Sequence, residues 1–153
     1  MPPRVNVDTS DFALGQAPQV LATAGIGSCV AICLYAKDRR VGALLHVMLP
    51  RAEGDHLNPC RFADTAISMA LLELAKQSIV PTQLVAKLVG GAQMFKAFAD
   101  AGSIGVRNVE EIRRILHTIG IPIEAENIGG STGRNLEFDL TTGSVTIQAR
   151  PTS

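Results

Sequence analysis

Val30-Ala-Ile-Cys-Leu-Tyr35, then Lys37-Asp38-Arg39-Arg40, then Val41-Gly-Ala-Leu-Leu-His-Val-Met48 sets two apolar runs on either side of a charged break. Runs of this length, rich in Val, Ile, Leu and Tyr and bounded by polar residues, predict two strands joined as a hairpin. A two-residue turn at Lys37-Asp38 or Asp38-Arg39 sets Cys29 opposite His46 or one diagonal step away. Both then fall on one face, because side chains alternate with period two. The other face carries Val30, Ile32 and Leu34 from the first strand and Val41, Ala43, Leu45 and Val47 from the second, so a core is accounted for without Cys29 or His46. A one-residue change in loop length would invert that assignment.

Upstream of the hairpin, residues 1–18 carry Pro2, Pro3 and Pro18 with little periodicity and predict an arm or lead-in strand. Val20 to Thr23 reads as a short strand broken by Gly25 and Gly27. Downstream, Pro50 to Cys60 reads as a polar loop. Arg61 to Ile79 reads as a helix: Ala63, Ala66, Ile67, Ala70, Leu71 and Leu74 recur at three- and four-residue steps, and Pro81 stops it. Gln83 to Val89 predicts a buried strand. Asn108, with Glu111 three residues on, predicts a capping box opening a helix over Val109 to Ile119, which Gly120 ends. Ile121 to Ile128 and Arg134 to Leu140 read as strands, and Thr141-Thr142-Gly143 turns the latter into a terminal strand over Ser144 to Arg150. Mostly antiparallel strands with two helices make the expected class α+β, with residues 19–153 as one domain.

The 153 residues suit a single domain, and 46% hydrophobic against 18% charged residues predicts a packed core. Fourteen Lys+Arg balance fourteen Asp+Glu, and with no Trp and one Tyr there is neither a basic surplus nor a stacking platform for nucleic acid. The longest apolar stretch, Ala66 to Ala75, falls well short of the roughly 20 residues of a membrane span. Three cysteines and no secretory leader predict free thiols in a cytoplasmic protein that inserts in no membrane.

Thr23-Ala-Gly-Ile-Gly-Ser-Cys29 is the sharpest local feature. A thiol titrating at about 8.5 needs a base to act near neutrality, and an imidazole on the same face can take its proton. Gly25 and Gly27 leave backbone N–H groups free to meet an oxyanion, with Gly27 and Ser28 the candidate donors. Acyl chemistry at Cys29 with His46 is one reading. The residues alone favour the plainer reading of Cys29 and Cys33 as small buried hydrophobes and His46 as a satisfied core histidine.

Other groupings carry less. His56 and Cys60 with Cys29 or Cys33 match no common zinc spacing, so neither metal nor cofactor is expected. Gly129-Gly-Ser-Thr-Gly-Arg134 lacks the Lys-Ser/Thr ending of a phosphate loop and precedes a strand, so a tight turn is expected. His117 suits a helix C-terminus. Lys37, Arg39 and Arg40 read as a solvated turn, and Glu110, Glu111, Arg113 and Arg114 as an exposed helical face.

The stretch Thr23 to Tyr35, with Leu45-His-Val-Met-Leu-Pro50, resembles CheD, the chemoreceptor glutamine deamidase family of chemotaxis. The likeness continues through Arg61-Phe-Ala-Asp64, Lys87-Leu-Val-Gly-Gly-Ala-Gln-Met-Phe95, Ile104-Gly-Val-Arg-Asn108, and Ile128-Gly-Gly-Ser-Thr-Gly-Arg134 to Gly143, covering about residues 20 to 150. The resemblance implies a mixed, largely antiparallel β-sandwich with helices packed outside, as in toxin-type cysteine deamidases. It implies hydrolysis of receptor glutamine side chains to glutamate, a protein-glutamine glutaminase activity, through a cysteine thioester. It assigns the nucleophile to Cys29, the base to His46 and an orienting role to Thr23, and leaves Cys33 and Cys60 structural. It also implies binding of CheC, a phosphatase, which frames the rival reading: a non-catalytic adaptor for receptors and CheC.

Overall fold

A computed structural model describes residues 2–54, 58–93 and 103–150. The predicted hairpin is β4 (Val30–Ala36) and β5 (Val41–Val47), antiparallel with Val30 opposite Val47 and Ala31 opposite His46. On β5's free side lies β2 (Asp11–Gln16), and beyond β4 lie β6 (Leu84–Gly90) and β7 (Ile123–Ile128). The five form a sheet in the order β2-β5-β4-β6-β7, parallel only at β6–β7. A second sheet, β1-β3-β8-β9, joins β1 (Arg4–Asn6), β3 (Val20–Ile26), β8 (Arg134–Asp139) and β9 (Val145–Ala149), parallel only at β1–β3. Two helices, α1 (Ala63–Ala75) and α2 (Ile104–Ile119), complete an α+β fold among the described residues.

The central strands are covered on both faces, and every residue of β4 and β5 is buried. One core joins Val30, Ile32, Leu34, Val41, Ala43, Leu45 and Val47 to Ile67, Ala70 and Leu74 of α1 and to Val109, Ile112 and Leu116 of α2. The other lies between the sheets, where Ala31, Cys33, Tyr35 and Leu44 meet Leu21, Ile26, Leu136 and Phe138. The face carrying His46 is therefore interior too, against the single-core expectation. This double covering explains why the two strands read as almost continuous apolar runs and not as alternating ones. Fully burying a side chain such as Ile67 or Leu74 contributes about 1.5–3 kcal/mol, which holds α1 on the sheet.

Several boundaries differ from the sequence expectation. The helix expected over Arg61 to Ile79 is shorter at both ends. Pro59–Arg61 form a separate 3-10 turn, capped by Asn58 Oδ1 accepting from the Cys60 amide at 3.1 Å, and Phe62 is extended. At the other end Lys76 closes α1 and Ser78 turns the chain at φ 62°, ahead of Pro81. The helix expected from Asn108 starts a turn earlier, at Ile104, where the Ser103 hydroxyl accepts from the Val106 amide at 3.4 Å. Asn108 lies inside α2 and is fully buried, so it caps nothing. Gly25 does not break β3; at φ +69° it absorbs the register shift between Thr23 and Ile26 as a bulge, and pairing resumes at Ile26.

Candidate active site

His46 stands on β5 and Thr23 on β3, so the contact between them crosses from one sheet to the other. His46 is wholly buried and Thr23 nearly so. Thr23 Oγ1 lies 2.8 Å from His46 Nδ1 and 2.6 Å from the carbonyl of Val7. A hydroxyl has one proton and a carbonyl can only accept, so Thr23 donates to Val7 and accepts from Nδ1–H. That assigns the tautomer: the proton sits on Nδ1 and the lone pair on Nε2. Nε2 is buried with no hydrogen-bond partner among the described residues. An unpartnered acceptor inside a packed molecule costs about 1–3 kcal/mol, and this one is a basic nitrogen.

Cys29 immediately precedes β4, two residues before Ala31, which pairs with His46. The Val30–Val47 register corresponds to the turn choice that makes Cys29 and His46 diagonal neighbours on one face, a separation of roughly 7–8 Å between positions. His46 Nε2 makes no hydrogen bond to Cys29. Burial pushes the partly covered Cys29 thiol above the ordinary cysteine value, only partly offset by its own backbone N–H. Burial likewise pushes His46 below the ordinary histidine value. Both effects favour the uncharged forms, so the resting pair is thiol and neutral imidazole rather than thiolate and imidazolium.

The bend Gly27–Cys29 is fixed through its carbonyls. Gly27 O accepts from the Ala92 amide at 2.9 Å and Cys29 O from the Gly91 amide at 2.8 Å. Ser28 O accepts from Asn108 Nδ2 at 3.0 Å. The amides of Gly27 and Ser28 donate to no acceptor among the described residues, and that of Cys29 faces its own Sγ. Asn108 also donates to Met48 O at 2.9 Å, just past the end of β5. Sequence reasoning missed this residue by reading it as a cap. The available signal was its place on the apolar stripe of α2, four residues before Ile112 and eight before Leu116; a polar side chain there has to be satisfied by something packed on the helix.

The remaining candidates fall outside this constellation. Cys33 is buried in the inter-sheet core, its thiol pushed by burial to about 12. Cys60 is half-buried in the 3-10 turn, and all three thiols are free. His56 lies outside the described residues, among which no group of His, Cys, Asp and Glu could hold a metal. Gly129 to Arg134 is a turn: Arg134 donates to the carbonyls of Gly90 and Gly129 and ties it to the end of β6. Lys37 pairs with Glu124 at 2.6 Å. Glu111 is not an open surface residue; it bridges Arg51 and Arg114 with its carboxylate largely covered.

The family described as CheD chemotactic sensory transduction matches residues 48–149, two thirds of the chain. The chain belongs to the CheD family. Curated CheD proteins match over nearly its whole length. The probable chemoreceptor glutamine deamidase CheD of Desulforamulus reducens is 40% identical, covering 94% of this chain and 89% of its own. The probable CheD of Pyrococcus abyssi is 41% identical over 94% of this chain and 90% of its own. The chemoreceptor glutamine deamidase CheD of Thermotoga maritima is 37% identical over 93% and 89%. The family match begins two residues past His46 and includes Asn108. No helix among the described residues is long and apolar enough to cross a membrane.

Proposed function

We propose that this CheD protein hydrolyses the side-chain carboxamides of particular glutamines in methyl-accepting chemotaxis receptors, leaving glutamates. The observation that carries the reading is the buried Nε2 of His46, unpartnered among the described residues and held in place by Thr23 on Nδ1, one diagonal step from the Cys29 position. As Cys29 Sγ adds to the carboxamide carbon, its proton passes to Nε2, and the carbonyl oxygen becomes an oxyanion against the amides of the Gly27–Cys29 bend. His46 returns the proton to the departing nitrogen, ammonia leaves and a thioester remains. His46 then takes a proton from water, whose oxygen attacks the thioester, and glutamate and thiol are released. Thr23, anchored on Val7, keeps Nδ1–H in place and supports the imidazolium that forms transiently, the third-member role of a triad. Because the resting pair is uncharged, ionisation accompanies attack instead of preceding it.

The names of the relatives, chemoreceptor glutamine deamidases, support the substrate class. A receptor's signalling region is cytoplasmic, and the same reading puts this protein there. Binding of the CheC phosphatase is a separate activity that a site variant need not disturb. The test is mass spectrometry of a purified receptor fragment after incubation with wild type and Cys29→Ala. Wild type should convert glutamine to glutamate and the variant should not; an unmodified fragment with wild type overturns the enzyme reading. Retention of CheC binding by an inactive Cys29→Ala would show the two roles to be separable.

A further inference from the structure

Asn108 reaches the backbone beside both reacting side chains with one amide group. Its two N–H bonds go to Ser28 O, the residue before Cys29, and to Met48 O, two residues past His46. Nδ2 facing two carbonyls also fixes which end of the amide is nitrogen, since the reverse would set oxygen against oxygen. Oδ1 is buried without a partner among the described residues. The side chain is therefore used for its donors alone.

A trans peptide points its C=O and N–H in opposite directions. The carbonyl of the Ser28–Cys29 peptide is drawn toward α2, which covers the face of the five-stranded sheet bearing Val30, Ile32 and Leu34. The N–H of the same peptide, which belongs to Cys29, is thereby directed away from α2, toward the side on which His46 lies. That amide is within reach of its own Sγ. The helix sits close against the chain that follows β6: a methyl group at Gly105 would stand 2.6 Å from the carbonyl oxygens of both Gly91 and Ala92. Those two residues in turn hold Cys29 O and Gly27 O through their amides.

We propose that Asn108 is a positioning residue: its bond to Ser28 O turns the Cys29 N–H into the oxyanion formed when Sγ adds to the carboxamide, while its bond to Met48 O ties that peptide to the strand end carrying His46. The proposal rests on Cys29 being the nucleophile. Deamidation of a receptor fragment and alkylation of Cys29 by iodoacetamide separate the two ideas, because alkylation forms no oxyanion. In Asn108→Ala and Asn108→Asp, kcat should fall about 10- to 100-fold with KM nearly unchanged, a part of the roughly 10²–10³-fold that loss of an oxyanion donor costs. Alkylation rates should stay within about twofold of wild type. An unchanged kcat, or a loss of kcat matched by an equal loss of alkylation, overturns the role of Asn108 and leaves the nucleophile standing. Activity surviving in Cys29→Ala overturns the nucleophile itself. Should neither Asn108 variant fold, the wild type decides. A receptor peptide with an aldehyde in place of the target carboxamide adds Sγ to its carbon as a hemithioacetal, the oxygen taking the thiol proton or remaining as the anion. The Cys29 amide proton should then move downfield in the NMR spectrum, and an unmoved signal overturns the proposal.

Discussion

The Thr23 hydroxyl does two things at once: it accepts from Nδ1–H and it donates to Val7 O. Thr23→Val keeps the shape and loses both bonds, freeing the imidazole to rotate or to change tautomer. We expect kcat to fall by about 10²-fold, within the range general-base catalysis supplies, while Thr23→Ser retains most of the activity; equal activity of the Val and Ser variants would deny the hydroxyl its role. The thiol gives a second expectation. With the Cys29 pKa raised by burial, the thiolate fraction near neutrality is small, and the alkylation rate should still be climbing beyond the ordinary cysteine value of about 8.5. An inflection near pH 6–7 would instead reveal a preformed thiolate–imidazolium pair. Hairpin register made Cys29 and His46 legible as diagonal positions across the two strands. Thr23 was beyond that reasoning, because its partner is 23 residues away in the other sheet and no spacing rule links two sheets.

At the scale of elements, α2 shows where local pattern and tertiary packing part. Asn108 followed by Glu111 has the form of a capping box, yet Ser103 caps the helix and Asn108 is spent on Ser28 and Met48. Glu111, the other half of that apparent box, joins Arg51 and Arg114; burial raises its carboxyl, but the hydrogen bonds from those guanidiniums outweigh it and hold it below the usual range. The end of α2 was readable because Gly120, at φ +94°, is a local device that needs no neighbours. The apolar face of α2 bears on the site through the same packing. Ile112→Ala removes a fully buried side chain one turn beyond Asn108 and should destabilise the protein by about 2–5 kcal/mol in denaturant unfolding. Its effect on kcat should stay well below that of Asn108→Ala, since it leaves the donors on Nδ2 in place. A stability loss under about 0.5 kcal/mol would mean that α2 does not pack as described.

Across the whole molecule, the base is a product of the sandwich: β5 brings His46, β3 brings Thr23, and closing the two sheets excludes water from the imidazole. The class and strand order of the hairpins were readable from apolar runs and turn residues; the unbroken apolar runs of β4 and β5 also carried the signal of a second core, but a register argument that assigned one face to the core left the other face open. That burial has a cost that appears in acid. The folded state holds His46 below its ordinary pKa, so between the unfolded value of about 6.5 and the lower folded value the unfolded chain binds more protons. Stability should therefore be complete above that window and decline as pH falls through it. Glu126, held below the usual carboxylate range by its hydrogen bonds to Arg113, behaves as a depressed carboxyl and loses its contribution only at lower pH, below its unfolded value of about 4.3. Melting curves taken from pH 7.5 to 5 should thus show a fall in Tm that flattens in His46→Gln, whose side chain does not titrate. Parallel pH slopes in the two proteins would mean that His46 is protonated as readily inside the fold as outside it, and the imidazole could then not be the buried, water-free base on which the chemistry depends.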